Sequence, residues 1–445
     1  MKIFQKKNAR LKMFYPRTVF HIIVSILTLG AIISNYGFVD GLLNPDLYAP
    51  VDMIKRNGYP VETYDITTPD GYVLGLQRIP YGKTNKNGSH FPILCIHGFI
   101  DSSFAWIANG PNRGLAYLLA DQGYDVWMIN VRGNTFSRNH TQYTANDPEF
   151  WNFSFDEIGS IDLPTTIDFI LDKTNHTQLL CICDSAGNVM FYIMLSHLPQ
   201  YNNKVIAQVS LALYYHPKMI PDSDLQMLSE GGSAIDDVLG PFLEHDQTTK
   251  LGIQFLSTLQ KLNGYTLYDY MLYLVYGLRA DHINRVKKMA LTMTVPTTYL
   301  AGTSFKVSRH LVQLRTSFSH YDHGPAKNLE IYGTQLPPEY NISNIRVPVR
   351  LYHAKGDFAA TPQEVQFLYD NLPIKAGVIE IADPNFSHMD FLYNEHNNEL
   401  FNYDVIQFVN NIVNYTLSHG ANPNLQIGVD NRTVSFKNDI HTSDL

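Results

Sequence analysis

Residues 179–198 read LLCICDSAGNVMFYIMLSHL, and this stretch decides the fold of the chain. Its first residues are almost entirely apolar, which is typical of a buried strand. Apolar side chains then recur at the spacing of one helical face, at Val189, Met190, Ile193 and Met194. We therefore predict a strand over Leu179–Asp184 and a helix over Ser185–Leu198.

The junction of this strand and helix, Cys183-Asp184-Ser185-Ala186-Gly187, is one residue short of the pattern G-x-S-x-G. In that pattern a sharp turn raises a serine hydroxyl above the sheet, and free N–H groups at the helix start face it. Small residues are required because strand and helix pass closely, and cysteine is among the smaller replacements. Ser185 is therefore a candidate nucleophile.

Strands and helices alternate on both sides of this junction. Tyr64–Thr67 and Tyr72–Ile79 are predicted to form a hairpin, because Asp70-Gly71 supplies the positive φ angles of a tight turn. Further strands are predicted at Pro92–Ile96, Tyr124–Val131, Val205–Leu213, Val347–His353 and Ala376–Ile381, and further helices at Gly114–Gln122, Asp162–Leu171 and Tyr403–Leu417. This alternation predicts an α/β fold, with a mostly parallel sheet and helices on both faces.

The alternation stops between residues 215 and 344, which read as helices and loops. An insertion of this length between strands favours a functional lid over a simple connection. We therefore predict two core segments, 44–214 and 345–417, separated by a helical cap at 215–344. Residues 418–445 are predicted to be a polar, flexible tail.

A serine nucleophile needs a base, and the base needs an orienting carboxylate. Asp357 follows the strand predicted at Val347–His353, and His388 follows the next predicted strand. The order Ser, Asp, His at late strand ends is that of α/β-hydrolases. Asp383 and Asp390 compete for the role of the acid, but both flank the histidine rather than end the preceding strand. For the oxyanion hole we predict the backbone N–H groups of Ala186 and of Phe99, which follows His97-Gly98.

Composition and targeting signals indicate a globular protein of the secretory pathway that does not bind nucleic acid. Of 445 residues, 45% are hydrophobic, and the formal charge of -8 argues against a nucleic-acid partner. Six basic residues and no acidic ones lie in residues 1–17, ahead of an apolar run at 19–33. We predict that residues 1–39 are a basic flank plus either a cleaved signal peptide or a retained signal-anchor, so the bulk of the chain enters the secretory pathway. Eight N-x-S/T sequons agree with lumenal exposure: Asn87, Asn139, Asn152, Asn175, Asn341, Asn385, Asn414 and Asn431.

Three cysteines are too few for a disulfide scaffold. Cys95 and the pair Cys181 and Cys183 lie on strands predicted to be neighbours; a disulfide is conceivable, but buried free thiols are favoured. His320 and His323 have the spacing of metal ligands, yet no third ligand stands nearby, so we predict no metal site and no cofactor.

Three long stretches resemble the acid lipase family of gastric and lysosomal acid lipases: residues 58–82 (GYPVETYDITTPDGYVLGLQRIPYG), 125–140 (DVWMINVRGNTFSRNH) and 150–171 (FWNFSFDEIGSIDLPTTIDFIL). The resemblance covers residues 44–417. It implies an α/β-hydrolase fold and hydrolysis of acylglycerols or sterol esters through an acyl-enzyme. It also places the family's nucleophile, acid and base on Ser185, Asp357 and His388, and its oxyanion donors on Phe99 and Ala186.

The elbow departs from the family, in which it resembles G-H-S-Q-G. Cys183, Asp184 and Ala186 replace a glycine, a histidine and a glutamine. The main hypothesis is a lipase or esterase acting at a lipid–water interface, either secreted, lysosomal or membrane-anchored with a lumenal catalytic domain. The alternatives are a catalytically impaired lipid-binding protein on the same scaffold and an esterase of small soluble esters.

Overall fold

The computed structural model describes residues 49–83, 85–214, 301–357, 359–420, 426–430 and 433–437. Within them, nine strands form one sheet: β1 (Glu62–Thr67), β2 (Tyr72–Ile79), β3 (Pro92–Ile96), β4 (Asp125–Ile129), β5 (Asn139–His140), β6 (Leu179–Asp184), β7 (Val205–Leu211), β8 (Val349–His353) and β9 (Lys375–Glu380). The order across the sheet is β1-β2-β4-β3-β6-β7-β8-β9, and β5 pairs with β2. The strands that start and end the predicted α/β alternation therefore lie in a single sheet.

Strand direction divides the sheet into a small antiparallel part and a large parallel part. β2 is antiparallel to β1, β4 and β5, while β4, β3, β6, β7, β8 and β9 are mutually parallel. Ile96 pairs with Cys183, and Cys183 pairs with Ser210, so β3, β6 and β7 end at the same edge. The predicted mostly parallel sheet is confirmed, and the loops after these strands meet at its carboxyl edge.

Nine α-helices accompany the sheet in the described residues: α1 (Pro50–Arg56), α2 (Leu115–Asp121), α3 (Leu163–Thr174), α4 (Ala186–His197), α5 (Phe305–Gln313), α6 (Pro325–Tyr332), α7 (Pro362–Asn371), α8 (Asp390–Tyr393) and α9 (Tyr403–His419), with one further α-helical turn, Phe155–Glu157, ahead of α3. Two buried apolar clusters cover the two sheet faces. One contains Leu119 of α2 and Phe408 of α9; the other contains Ile167 of α3 and Met190 of α4. Helices on both faces are therefore confirmed.

Several observed helix and strand boundaries differ from the predicted ones. The turn Phe155–Glu157 and a π-helical turn, Ile158–Asp162, lead into α3, which ends where Asn175 takes a left-handed φ of 54°. A flexible tail was expected from residue 418. Instead α9 continues to His419, and β10 (Gln426–Asp430) pairs with β11 (Thr433–Lys437), so the tail prediction is corrected for these residues.

Several predictions fall outside the described residues: the targeting segment at 1–39, residues 215–300 of the cap, and Asn431. Residues 301–344, the described end of the predicted cap, contain α5 and α6 and contact the core. The Ala301 N–H donates to the Ile100 carbonyl at 2.7 Å, and the Thr135 N–H donates to the Ala301 carbonyl at 2.7 Å. No helix in the described ranges is long and apolar enough to cross a membrane.

The three cysteines are buried free thiols. Cys95 points into the apolar cluster on one sheet face, whereas Cys181 and Cys183 point into the cluster on the other. The sheet therefore separates Cys95 from the other two, and the prediction of free thiols is confirmed.

Candidate active site

The turn from β6 into α4 places Ser185 in a strained backbone conformation. Its φ and ψ are 49° and -119°, a region that residues other than glycine rarely adopt. A Cβ atom on Gly187 would lie 2.5 Å from the Ile96 carbonyl oxygen, so only glycine lets α4 pass this close to β3. Cys183, at the first glycine position of the pattern, is fully buried and fits among apolar side chains.

Asn188 holds this turn from inside α4. Its side-chain amide donates to the carbonyls of Ser185 and Leu211, each at 3.0 Å, and its Oδ1 accepts from Gln208 Nε2 at 3.0 Å. The nucleophile turn is thereby tied to β7 as well as to its own helix. No sequence pattern predicted a role for Asn188; its one signal is a polar side chain ahead of the apolar run Val189–Leu195.

Ser185, His388 and Asp357 lie in one hydrogen-bonded line, although they are far apart in sequence. His388 Nε2 is 2.8 Å from Ser185 Oγ, and His388 Nδ1 is 2.9 and 3.0 Å from the two carboxylate oxygens of Asp357. A proton on Nδ1 donates to Asp357 and leaves Nε2 to accept the serine proton. All three residues are buried, so the structure brings together the three predicted side chains in a geometry suited to nucleophilic attack.

The two competing carboxylates shape the loop that carries His388. Asp390 Oδ2 accepts hydrogen bonds from the N–H and the hydroxyl of Ser387, at 2.7 and 2.9 Å. Asp383 Oδ1 accepts from the Asn385 N–H at 2.9 Å. Asp357, in contrast, lies against the imidazole ring and accepts from the Ala359 N–H at 2.7 Å. The acid chosen from strand order is thus the one that orients the histidine.

Burial and charge act on His388 in opposite directions. Burial alone lowers the pKa of the imidazole, but the charge of Asp357 and its hydrogen bond raise it, and the negative charge of Asp184 raises it further. The net result is a pKa above the usual value for histidine. This histidine is a stronger base than a free imidazole, and it must lose its proton before it can accept one from Ser185.

The loop after β3 brings a second backbone donor towards the nucleophile. A Cβ on Gly98 would lie 3.1 Å from Ser185 Cβ, so the chain immediately before Phe99 packs against the serine. In the described part of the chain, no group accepts a hydrogen bond from the N–H of Phe99 or of Ala186. Both predicted oxyanion donors therefore remain available beside Ser185.

His97 fixes the start of this loop. Its Nδ1 lies 2.8 Å from the Gly98 carbonyl oxygen, and the Val131 N–H donates to its Nε2 at 3.3 Å. Burial lowers the pKa of His97 to about 4, so the ring is neutral and Nδ1 carries the proton. This neutral histidine holds the Gly98 carbonyl and with it the peptide that contains the Phe99 N–H.

The two histidines with ligand-like spacing serve other contacts. His320 Nδ1 lies 3.2 Å from Asp156 Oδ1, and His323 packs edge-on against Tyr321. The described residues contain no group of three or more side chains able to hold a metal ion.

Comparison with known proteins gives the family. A family model described as a partial alpha/beta-hydrolase lipase region matches residues 50–110, and one described as the alpha/beta hydrolase fold matches residues 92–232. Gastric triacylglycerol lipase of Homo sapiens is 33% identical over 382 residues, which cover 83% of this chain and 94% of that protein. The chain belongs to the acid lipase family. This acid lipase family member is also 34% identical to Lipase 1 of Drosophila melanogaster over 354 residues, 77% of this chain and 75% of that protein. It is a carboxylic-ester hydrolase with an α/β-hydrolase fold.

Proposed function

We propose that this acid lipase family member hydrolyses neutral lipid esters, either acylglycerols or sterol esters, through an acyl-enzyme on Ser185. The observation that carries the proposal is the hydrogen-bonded line from Ser185 through His388 to Asp357. The name of the human relative, a triacylglycerol lipase, supports the substrate class.

In the first half of the proposed reaction, Ser185 Oγ bonds to the ester carbonyl carbon while its proton moves to His388 Nε2. The Phe99 and Ala186 N–H groups donate to the carbonyl oxygen as it becomes negative. The tetrahedral intermediate then collapses, the carbon–alkoxy bond breaks, and His388 returns the proton to the leaving alcohol. Asp357 keeps its charge throughout and stabilises the imidazolium.

In the second half, water takes the place of the alcohol. His388 removes a proton from the water as its oxygen bonds to the acyl carbon, and the same two N–H groups stabilise the second oxyanion. Collapse breaks the bond to Ser185 Oγ, which regains its proton from His388. The products are a fatty acid and the free enzyme.

The proposal also covers where the acyl chain binds and in which compartment the enzyme acts. We propose that the cap at 215–344 covers the acyl chain, because burial of each CH₂ group is worth about 0.8 kcal/mol. The basic flank and the sequons support a secreted or lumenal location for the catalytic domain. A profile of kcat/KM against acyl-chain length tests the substrate class, and a maximum at short, soluble esters would contradict it.

The catalytic assignment is tested by replacing two serines on neighbouring strand ends. Ser185→Ala is expected to remove hydrolysis of a triacylglycerol emulsion and covalent labelling by a fluorophosphonate, because no other group supplies the attacking oxygen. We expect a loss of at least about 10³-fold in kcat.

Ser210→Ala is the matched control. Ser210 pairs with Cys183 across β6 and β7, is fully buried, and its hydroxyl has no hydrogen-bond partner in the described ranges. This variant should keep wild-type activity and labelling. Wild-type rates in Ser185→Ala, or equal losses in both variants, would refute the assignment.

A further inference from the structure

Asp184, the last residue of β6, is a buried acid that the proposed reaction does not use. Its exposed fraction is 4%, and its Oδ2 lies 3.1 Å from the position of a Cβ on Gly98. Its Oδ1 is buried and has no hydrogen-bond partner in the residues that the structure describes. Asp184 directly precedes the nucleophile in sequence, and its carboxyl group packs against the loop that carries the Phe99 N–H.

A second buried acid lies on that loop. Asp101 is 1% exposed; its Oδ1 accepts from the Ser102 N–H at 2.7 Å, and its Oδ2 has no partner in the described segments. Asp101 and Asp184 repel each other when ionised. The other titratable groups that act on or near Asp184 are His388 and Asp357 across the site and the Cys183 thiol on the same strand.

Desolvation by burial favours the neutral form of both acids. Burial raises the pKa of Asp184 to about 7; His388 opposes the shift and Asp357 adds to it. Burial, with repulsion from Asp184, raises the pKa of Asp101 well above its usual range. Asp184 therefore ionises close to neutral pH, and the pKa of Asp101 is shifted in the same direction.

The position of Asp184 gives its charge a direct effect on the reaction. A carboxylate against Gly98 lies beside the place where the ester oxygen becomes negative, so the two charges repel in a site with little water to screen them. The same carboxylate raises the pKa of His388, so the titrations of the two groups depend on each other. Ionised Asp184 thus opposes the oxyanion hole, whereas neutral Asp184 does not.

We propose that Asp184 is a positioning residue whose protonation is required for acyl transfer, so that its ionisation switches the enzyme off above neutral pH. The inference rests on the proposed function, because it presupposes an oxyanion at the Phe99 and Ala186 N–H groups. His388 then sets the acid limb of the pH–rate profile and Asp184 the alkaline limb, and the two titrations are coupled.

The test is the pH dependence of kcat/KM for the full chain and for Asp184→Asn, which keeps the shape of the side chain and removes the charge. Hydrolysis of 4-methylumbelliferyl butyrate is followed from about pH 4 to about pH 9 in stopped samples read at one fixed pH. We expect the wild-type rate to fall about tenfold per pH unit above its alkaline midpoint and the variant rate to stay level. The acid limb of the variant should also move to lower pH, because His388 loses a negative neighbour.

Asp101→Asn is the matched control, since it neutralises the other buried acid and should keep the alkaline fall. Asp184→Ser, a smaller neutral residue, is the second variant and should give the level profile if Asp184→Asn does not fold. Near-ultraviolet circular dichroism checks that each protein stays folded across the range.

Three outcomes overturn the inference: a wild-type profile that stays level to about pH 9, an alkaline fall that persists in the folded Asp184 variants, or a fall that disappears in Asp101→Asn instead. A merely structural role for Asp184 would lower activity equally at every pH. Wild-type hydrolysis that survives Ser185→Ala would contradict the proposed function instead, so the two failures are distinguishable.

Discussion

Three residues at the carboxyl edge of the sheet have φ angles that side chains seldom tolerate: Ile100 at 54°, Ser185 at 49° and Ala212 at 47°. They follow β3, β6 and β7, the strands whose ends surround the nucleophile. Such strain persists only where neighbouring contacts hold the backbone in place. Here the Ala301 N–H donates to the Ile100 carbonyl, and the Ser185 N–H donates to the Leu211 carbonyl at 3.0 Å.

Asp357→Asn is the sharpest prediction for a single residue. The amide keeps the shape of the carboxyl group but favours the wrong imidazole tautomer and does not stabilise the imidazolium, so kcat should fall about 10⁴-fold. The measurement is initial-rate kinetics on a short-chain ester.

Asp383→Asn is its control, because Asp383 lies in the loop that carries His388 and accepts a hydrogen bond from the Asn385 N–H. This variant should retain at least about half of the wild-type kcat. A large loss in Asp383→Asn with little loss in Asp357→Asn would reverse the assignment of the acid.

Residue roles were predictable where strand order fixes them and not where they depend on contacts. Ser185, Asp357 and His388 each follow a predicted strand, and parallel strands bring such positions to one edge. Asn188 and His97 act through Gln208, Leu211, Gly98 and Val131, and no sequence pattern connects those residues. The neutral state of His97 is a consequence of burial, which a single sequence does not report.

At the level of elements, the packing of β6, α4 and β7 determines how firmly the nucleophile is held. The bounds of β3 and β6 were predicted correctly because both are continuous apolar runs with clear ends. The α-helical and π-helical turns that precede α3, residues 155–162, were not predicted, since they lack a simple 3.6-residue period. A capping box at Ser154 and Glu157 is the sequence signal that locates this entry.

Asn188→Ala tests the attachment of α4 to β7. The substitution removes three buried hydrogen bonds, although the Ser185 and Leu211 carbonyls each keep a backbone N–H donor. At about 1 kcal/mol for each lost bond, the free energy of unfolding should fall by about 3 kcal/mol. The kcat should fall about tenfold or more, because Ser185 loses its fixed position. Thermal unfolding and ester kinetics measure the two effects.

Asn202→Ala is the matched control for this element. Asn202 also makes three hydrogen bonds, with Pro199, Asn344 and Arg346, but in a partly exposed position. Asn202→Ala should lower the free energy of unfolding by about 1 kcal/mol and leave kcat unchanged. If kcat fell as much in Asn202→Ala as in Asn188→Ala, the loss would reflect lower stability of the whole fold and not a displaced Ser185 turn.

Across the whole molecule, the fold class was predictable because the alternation of strands and helices spans most of the chain. The pairing of β10 with β11 was not, since the polar composition of residues 418–445 favoured a flexible tail. The buried Arg132 is a further feature of the whole fold: it pairs with Asp162 and with Asp70, which joins the β1–β2 turn to the start of α3.

Glycosylation is the prediction that belongs to the whole molecule. The seven sequon asparagines in the described residues are all exposed: Asn87, Asn139, Asn152, Asn175, Asn341, Asn385 and Asn414. Protein produced in the secretory pathway should lose apparent mass when its N-glycans are removed enzymatically, and single Asn→Gln variants should each reduce the mass at occupied sites. Protein made in the bacterial cytosol should not change, and an unchanged mass of the secreted protein would contradict the prediction.

The separation of the cysteines by the sheet has a consequence for the folding of the chain. Before β3 and β6 pair, Cys95 can reach Cys181 and Cys183 freely, and an oxidising compartment would cross-link them. Once the sheet has formed, Cys95 faces away from the other two, and burial raises the pKa of all three thiols. In such a compartment, completion of the sheet would end the period in which oxidation can cross-link Cys95 to the other two cysteines. Thiol reactivity consequently records whether the central strands have paired.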